Sequence, residues 1–420
     1  MANDSKIAGK IKANITKFAN RISRGMKKPR KKFIAQMLFG IQASKDVKLS
    51  NISRSLKEDI ALIKTETRLS RQIGEEDLTY DLNHKLIEEG RCRIKEDTVL
   101  ALDLSDITKI YAKAMENLAE VRDGNTGKIG VGYWLSSVVA AEVEGEEIVP
   151  LYGELYSQEA EDFKSENYQL FKAMDAVSKG VGTKGIWVID RGGDRKIVFI
   201  RLLNGLKFVV RLVGNRDLVL KDGSKQNIKK IVYRCPMSFK TAIYIEKEGQ
   251  KKRKELSLGF RKVMLPFSKA PLYLVVIRGY SEKPMILLTN IDLPAIGLNR
   301  VLEIYLTRWK CEESYRFIKQ AYNLEDIRLR SYIGLRNIRT LVQVVFYFIS
   351  VELGKKLKLN ILLKKIFEKA KRFFEIPDFK QYAIADGIYR LLFNYRPDVA
   401  RPQEKKGHQQ LVFPFAIHLL

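Results

Sequence analysis

Two carboxylates stand where carboxylates are costly. Asp103 follows Val99-Leu100-Ala101-Leu102, and Asp190 follows Ile186-Trp187-Val188-Ile189. A charged group at the end of a buried strand must be ion-paired, hydrogen-bonded or metal-bound, because its desolvation is otherwise uncompensated. Taken singly, either acid is an ordinary cap or turn residue after a strand. Two of them on strands of one sheet can instead meet at a shared cation. Asp106 competes for the first position, since Leu102-Asp103-Leu104-Ser105-Asp106 offers two acids. Asp103 is preferred because it directly continues the apolar strand, whereas Asp106 is expected past the strand end.

A third acid comes from a helical stretch. In Tyr305-Leu306-Thr307-Arg308-Trp309-Lys310-Cys311-Glu312, continuing to Lys319, the offsets from Tyr305 to Arg308, Glu312 and Lys319 are 3, 7 and 14. At 3.6 residues per turn these correspond to roughly 300°, 340° and 320°, one narrow stripe. Arg316, at about 20°, borders it, while Glu313 falls near 80° and faces elsewhere. Arg308 and Glu312 alone form an ordinary i,i+4 ion pair. On one face with Lys319, however, a carboxylate can complete a divalent-metal site while the cations hold phosphates, Arg as a fork and Lys as a point charge.

The elements that position these residues alternate in type. Thr98 to Leu104, Ile129 to Val143 and Glu147 to Tyr152 read as strands, 162–178 as a helix, Gly185 to Asp190 and Lys207 to Val213 as strands. That order is α/β. Residues 214–290 break the alternation with short strands, including Leu218 to Ser224 entering a turn, Ile231 to Tyr233, Thr241 to Ile245 and Leu272 to Arg278. This stretch is expected to be an all-β insertion, and its segment 221–262 carries 13 basic against four acidic residues. One helix is predicted over Asn299 to Tyr322, a core helix over Tyr332 to Leu357, and a helical tail anchored by Phe373, Phe374, Tyr389 and Phe393. The resulting divisions are 1–95, 96–213, 214–290, 291–357 and 358–420.

Charge narrows the partner. The 420 residues hold 76 Lys plus Arg against 49 Asp plus Glu, a net charge of +27, which points to a polyanion. Residues 1–60 contain 15 cations and four acids, and the run Lys27, Lys28, Arg30, Lys31, Lys32 is the densest. A charge run is often only a solvated face. Here it precedes two expected short helices, one capped by Ser50-Asn51 through Leu56 and one over Ile60 to Ile73, which suits a helical DNA-binding region. Cys92, Cys235 and Cys311 and the three His residues form no ligand spacing, so structural zinc and disulfides are not expected in a reduced, intracellular chain. The N-terminus lacks a secretory apolar core, and Leu341 to Leu353 is too short and too polar to span a membrane.

The spacing Y-x2-R-x3-E-x6-K is met at Tyr305, Arg308, Glu312 and Lys319, and it resembles the YREK signature of the IS4 family of bacterial insertion-sequence transposases. The segments around Asp103 and Asp190 and the β stretch between the second and third acids are similar to that family as well. The resemblance, which covers approximately residues 98–340, implies an RNase H-like catalytic core, a mixed sheet with flanking helices, interrupted by the β insertion and followed by a helical C-terminal region. It implies a DDE triad of Asp103, Asp190 and Glu312 holding two Mg²⁺ ions, or Mn²⁺ in their place, with Tyr305, Arg308 and Lys319 near the phosphates of the element's end. The expected activity is metal-dependent cleavage at insertion-sequence ends followed by strand transfer, in a cut-and-paste pathway that can pass through a DNA hairpin. The implied partners are double-stranded DNA and a second copy of the chain in a synaptic homodimer, in the bacterial cytoplasm at the nucleoid and without a membrane. One departure stands out. Trp134, Trp187 and Trp309 all lie outside 214–290, so a base-stacking aromatic would have to be Tyr233, Tyr244, Tyr273 or Tyr280. Two other readings stay open: an RNase H-like nuclease that cuts structured DNA without joining it, and a non-catalytic DNA-binding protein derived from a transposase.

Overall fold

The computed structural model describes residues 2–109, 112–122, 127–247, 250–353, 357–370, 379–393 and 395. The expected anchors Phe373 and Phe374 lie outside them. Five helices open the chain: α1 (Ala2–Ile22), α2 (Lys28–Ser44), α3 (Leu49–Leu56), α4 (Leu62–Gly74) and α5 (Thr79–Gly90). The basic N-terminal arm is therefore folded. Ile7, Ile11, Ile15, Phe18 and Ile22 recur at helical spacing on α1 and are buried, which leaves the cations to the outer face. Ser50-Asn51 does not cap α3, which begins a residue earlier at Leu49. The helix has no side-chain cap; Asp46 closes the turn before it, accepting the Lys48 N–H and the Asn51 side-chain amide, both at 2.8 Å.

Next come β1 (Val99–Thr108), β2 (Ala119–Arg122), β3 (Ile129–Ala141), β4 (Ile148–Tyr156), α6 (Glu166–Val181), β5 (Ile186–Ile189), α7 (Lys196–Leu202) and β6 (Lys207–Arg211). Here β1 runs antiparallel to β3 and parallel to β5, and β5 runs parallel to β6. The long β3 also takes β2 at its first residues and β4 along the rest. All four residues of β5 are buried, as expected for a parallel strand covered on both faces. β1 extends beyond the predicted strand end and includes Asp106. The reason for setting that residue aside therefore fails: Asp106 lies on the strand, and its carboxylate accepts the Thr108 hydroxyl at 2.9 Å.

The following stretch contains β7 (Asp217–Val219), β8 (Lys225–Asn227), α8 (Ile228–Tyr233), β9 (Phe239–Lys247), β10 (Gln250–Val263), β11 (Leu272–Arg278) and β12 (Met285–Thr289). It is not wholly β. Asn227 caps α8 by accepting the Lys229 N–H, and Ile228, Ile231 and Val232 bury at helical spacing, so Ile231 to Tyr233 is helix rather than strand. Nor is the sheet interrupted at residue 214. β12 pairs with β6, and β11, β10 and β9 follow outward, so among the described residues ten strands form one mixed sheet in the order β2-β3-β1-β5-β6-β12-β11-β10-β9, with β4 beside β3.

The chain closes with α9 (Leu293–Ile296), α10 (Leu298–Thr307), α11 (Trp309–Ala321), a 3-10 turn (Leu324–Asp326), α12 (Tyr332–Tyr347), α13 (Leu357–Ala370) and α14 (Gln381–Phe393). The single helix expected over Asn299 to Tyr322 is two helices. At the junction the Arg308 N–H reaches the Tyr305 carbonyl at 3.2 Å and the Cys311 N–H reaches the Arg308 carbonyl at 2.9 Å, a tighter three-residue spacing. α12 is buried almost all round and anchors the N-terminal helices. Its Asn337 amide donates to the carbonyls of Ile73 and Glu76, both at 2.7 Å, and its oxygen accepts the Leu78 N–H. Among the described residues no helix is long and apolar enough to cross a membrane.

Candidate active site

Parallel pairing sets the first two acids side by side. Leu102 of β1 is in register with Ile189 of β5, and each strand's next residue is an acid, Asp103 and Asp190. Arg211 ends the neighbouring β6, where Val210 is in register with Ile189. Its guanidinium lies 3.7 Å from the Asp190 carboxylate and 3.4 Å from the Tyr305 hydroxyl. That hydroxyl donates to Asp190 at 3.0 Å. Glu312, on the first turn of α11, is paired with Arg308 at 2.7 Å.

Arg308 ties the acids together. It is buried, and burial works to lower its pKa, but Tyr305, Glu312, Asp190 and Asp103 hold it above the ordinary guanidinium value. Asp103 shows the converse. Burial pushes its carboxyl up to about 6, Arg308 opposes the rise, and Glu312 and Asp190 add to it. Burial likewise lifts the Tyr305 hydroxyl to about 12, against Arg308 and with help from Asp190. These mutual influences bring Asp103, Asp190, Glu312, Tyr305 and Arg308 into one electrostatic group.

A cleft of about 610 Å³ opens beside this group, lined by Asp103, Asp106, Glu312, Arg316 and Lys319 among others. Asp190 does not line it. Lys319 pairs with Glu325 at 3.2 Å, and Arg316 pairs with Glu313 at 2.7 Å while remaining more than half exposed. Glu313 itself is buried, so the two consecutive acids have different surroundings. The run from Lys27 to Lys32 lies elsewhere, at the start of α2. Lys27, Lys28 and Lys32 are exposed and Lys31 is half-buried. Arg30 is engaged by the Gln72 carbonyl at 2.8 Å and by Glu76 at 3.2 Å.

The donor set suits a hard divalent cation: three carboxylates, no His or Cys ligand, and an Asp destabilised by its acidic neighbours. The spacing does not close around one. Among the described residues no group of three or more His, Cys, Asp or Glu side chains is gathered tightly enough to hold a metal ion. A guanidinium provides the countercharge instead. Two participants escaped sequence reasoning. Arg211 carried a signal, a cation at the end of a strand adjacent to the one that ends in Asp190. Arg339, fully buried on α12, donates at 2.7 Å to Ser137, the residue paired with Asp103 across β1 and β3; nothing local marks it out.

No family model matches the sequence, and no curated protein matches it. Among solved structures, a cryo-EM structure of piggyBac transposase in a synaptic complex with hairpin DNA aligns with a TM-score of 0.43 and 13% sequence identity, over 95% of this chain and 86% of that one. A likeness this weak leaves the activity to be argued from the site.

Proposed function

We propose that this chain is a DDE-type transposase of the IS4 kind, cleaving DNA at the ends of an insertion sequence and joining the freed 3′ ends to target DNA. The observation that supports it most is the meeting of Asp103 from β1, Asp190 from β5 and Glu312 from α11 around the signature's Tyr305 and Arg308. The five strands β4-β3-β1-β5-β6, antiparallel on one side of β1 and parallel on the other, support an RNase H-like core. As they stand, Asp103, Asp190 and Glu312 are not gathered tightly enough to hold a metal, so in this reading they would hold Mg²⁺ or Mn²⁺ only once Arg308 is drawn aside and the three close together; a cation held there would activate a water or 3′-hydroxyl and stabilise the leaving oxygen. Tyr305 orients Asp190 by occupying one of its oxygens. Arg316 and Lys319 face the cleft and are suited to gripping the phosphates that flank the scissile bond. Hydrolysis leaves a 3′-hydroxyl, and that oxygen then displaces another 3′ oxygen at a second phosphodiester. In this reading the active form is a homodimer holding two duplex ends in the bacterial cytoplasm. Of the four candidate tyrosines for a hairpin step, Tyr233 and Tyr244 are widely exposed, whereas Tyr273 is tied to Asp292 and Tyr280 lies beneath Lys254.

The test is incubation of the full chain with a duplex carrying the DNA that flanks its reading frame, in Mg²⁺. A nick at the element boundary followed by joined product is expected, with Glu312→Gln still binding ends but cutting at least ~10³-fold more slowly. Cutting without joining would instead identify a structure-specific nuclease. One observation favours the non-catalytic reading, namely the arginine rather than a metal cage among the acids. Specific binding with no cleavage in either Mg²⁺ or Mn²⁺ would establish it.

A further inference from the structure

From the outer face of α4 we infer a base-reading surface for duplex DNA, distinct from the lysine run at the start of α2; the inference rests on the DNA-acting reading above. α4 buries Thr65, Leu69 and Ile73 against the helices behind it. Its opposite face is exposed and carries Ile63, Lys64, Thr67, Ser70 and Arg71. Relative to Ile63, Thr67, Arg71 and Lys64 stand at about 40°, 80° and 100°, and Ser70 at about 340°, a single face of roughly 120°.

The chemistry of that face is mixed in a particular way. A surface meant for phosphates alone needs only cations. This one offers an arginine fork suited to guanine edges, hydroxyls that take either partner, and an isoleucine two-thirds exposed that can meet thymine methyls. Arg71 is held only by a solvated pair with Glu75 at 3.4 Å and stays free to reach a base. The preceding helix α3 packs against α4, the relation in which a second helix enters the major groove while the first crosses the backbone.

Position favours DNA over other occupants. A groove of about 620 Å³ runs beside α4, its polar lining three cations (Lys48, Arg71 and Arg328) against one acid, Glu66, with the hydroxyls of Ser50, Thr67 and Ser70. The same loop that contributes Arg328 contributes Glu325 to the acid cleft, so the two depressions border one segment. Lys109 donates to the Ile327 carbonyl at 2.8 Å and Lys48 pairs with Asp326 at 2.6 Å, which fixes that segment. Asn337 fixes the far end of α4 to α12. A duplex gripped in the acid cleft can therefore continue across this segment to α4. A second copy docked face to face would set Lys48, Lys64, Arg71 and Arg328 against their own images, which like charges oppose.

The experiment is selection from a pool of duplexes with 20 random base pairs at one fixed salt concentration, using the full chain and variants whose folding is checked by thermal melting. The wild type should enrich a motif. Arg71→Ala and Thr67→Ala should each relax one or two positions of it, lowering the selected-to-random affinity ratio by roughly 10- to 100-fold. The Lys31→Ala/Lys32→Ala pair should weaken selected and random duplexes by the same factor. Folded α4 variants that enrich an unchanged motif, or that lose affinity for all duplexes equally, would overturn the inference. So would an Ile63→Ala chain that loses self-association while keeping its base preference. A wild type that binds no duplex at all would overturn the DNA-acting reading itself.

Discussion

Asp103 is held in a place that penalises its charge, and the penalty can be measured without any assay of activity. Its carboxyl is raised to about 6 in the folded chain, above the ordinary Asp value of 3.8, through burial and the neighbouring Glu312 and Asp190. A group raised in this way stabilises the fold relatively at low pH and loses that contribution as pH climbs through its folded pKa. Asp103→Asn should therefore be more stable than wild type at pH 8 by up to about 3 kcal/mol, an advantage that fades below pH 4. Urea unfolding at the two pH values checks it, and a difference that does not widen with pH would mean that Asp103 is neither desolvated nor crowded by other acids. Arg308 is the complement. Removing it as Arg308→Ala takes a buried guanidinium from Asp103 and from the partly exposed Asp190 and Glu312, so the variant should lose about 2 kcal/mol near neutral pH. It should regain more of its melting temperature from millimolar Mn²⁺ than wild type does; equal gains would mean that the guanidinium and a cation do not compete. Glu313→Gln removes a pair with the largely exposed Arg316, so it should change stability by less than about 1 kcal/mol and leave cleavage intact, unlike Glu312→Gln.

At the scale of elements, close approach of backbones decides what substitutions do. Gly40 lies inside α2, where alanine would normally stabilise by about 0.5–1 kcal/mol. A Cβ there would stand 2.5 Å from the Ile52 Cγ2 of α3. Gly40→Ala is therefore expected to destabilise by about 1–3 kcal/mol, since Ile52 is buried and β-branched and cannot swing aside. Chemical denaturation gives the sign directly, and a gain in stability would show that α2 and α3 separate easily. The break between α10 and α11 belongs to this scale too. A continuous helix keeps Tyr305, Arg308, Glu312 and Lys319 on one stripe, and the broken one still gathers Tyr305, Arg308 and Glu312 around the acids. Lys319 instead faces the cleft near the turn Leu324–Asp326.

For the whole molecule the dominant quantity is its net charge of +27. If phosphate neutralisation supplies most of the affinity, binding to duplex DNA should fall by at least ~10³-fold between 50 and 200 mM salt. A titration by fluorescence anisotropy tests this, and a nearly flat salt response would contradict binding dominated by the DNA backbone. The sheet matters at the same scale. Because β12 pairs with β6, the basic strands β9 and β10 extend the sheet that carries Asp103 and Asp190. That extension and the strands that position the acids thus belong to one hydrogen-bonded sheet.

What the amino-acid order determined by itself was local. Apolar runs ending in Asp103 and Asp190 declared buried strands, and the spacing from Tyr305 to Lys319 declared a helix face, because strand and helix periods are written in consecutive residues. Tertiary packing decided the rest. It carried β1 past Asp106, folded the basic N-terminal run into α1 and α2, turned Ile231 to Tyr233 into helix and joined the sheet across residue 214. It also set Arg308 among three acids that come from distant parts of the chain. The physical reason is that desolvation and ion pairing depend on which side chains meet in space, and neighbours in space need not be neighbours in sequence.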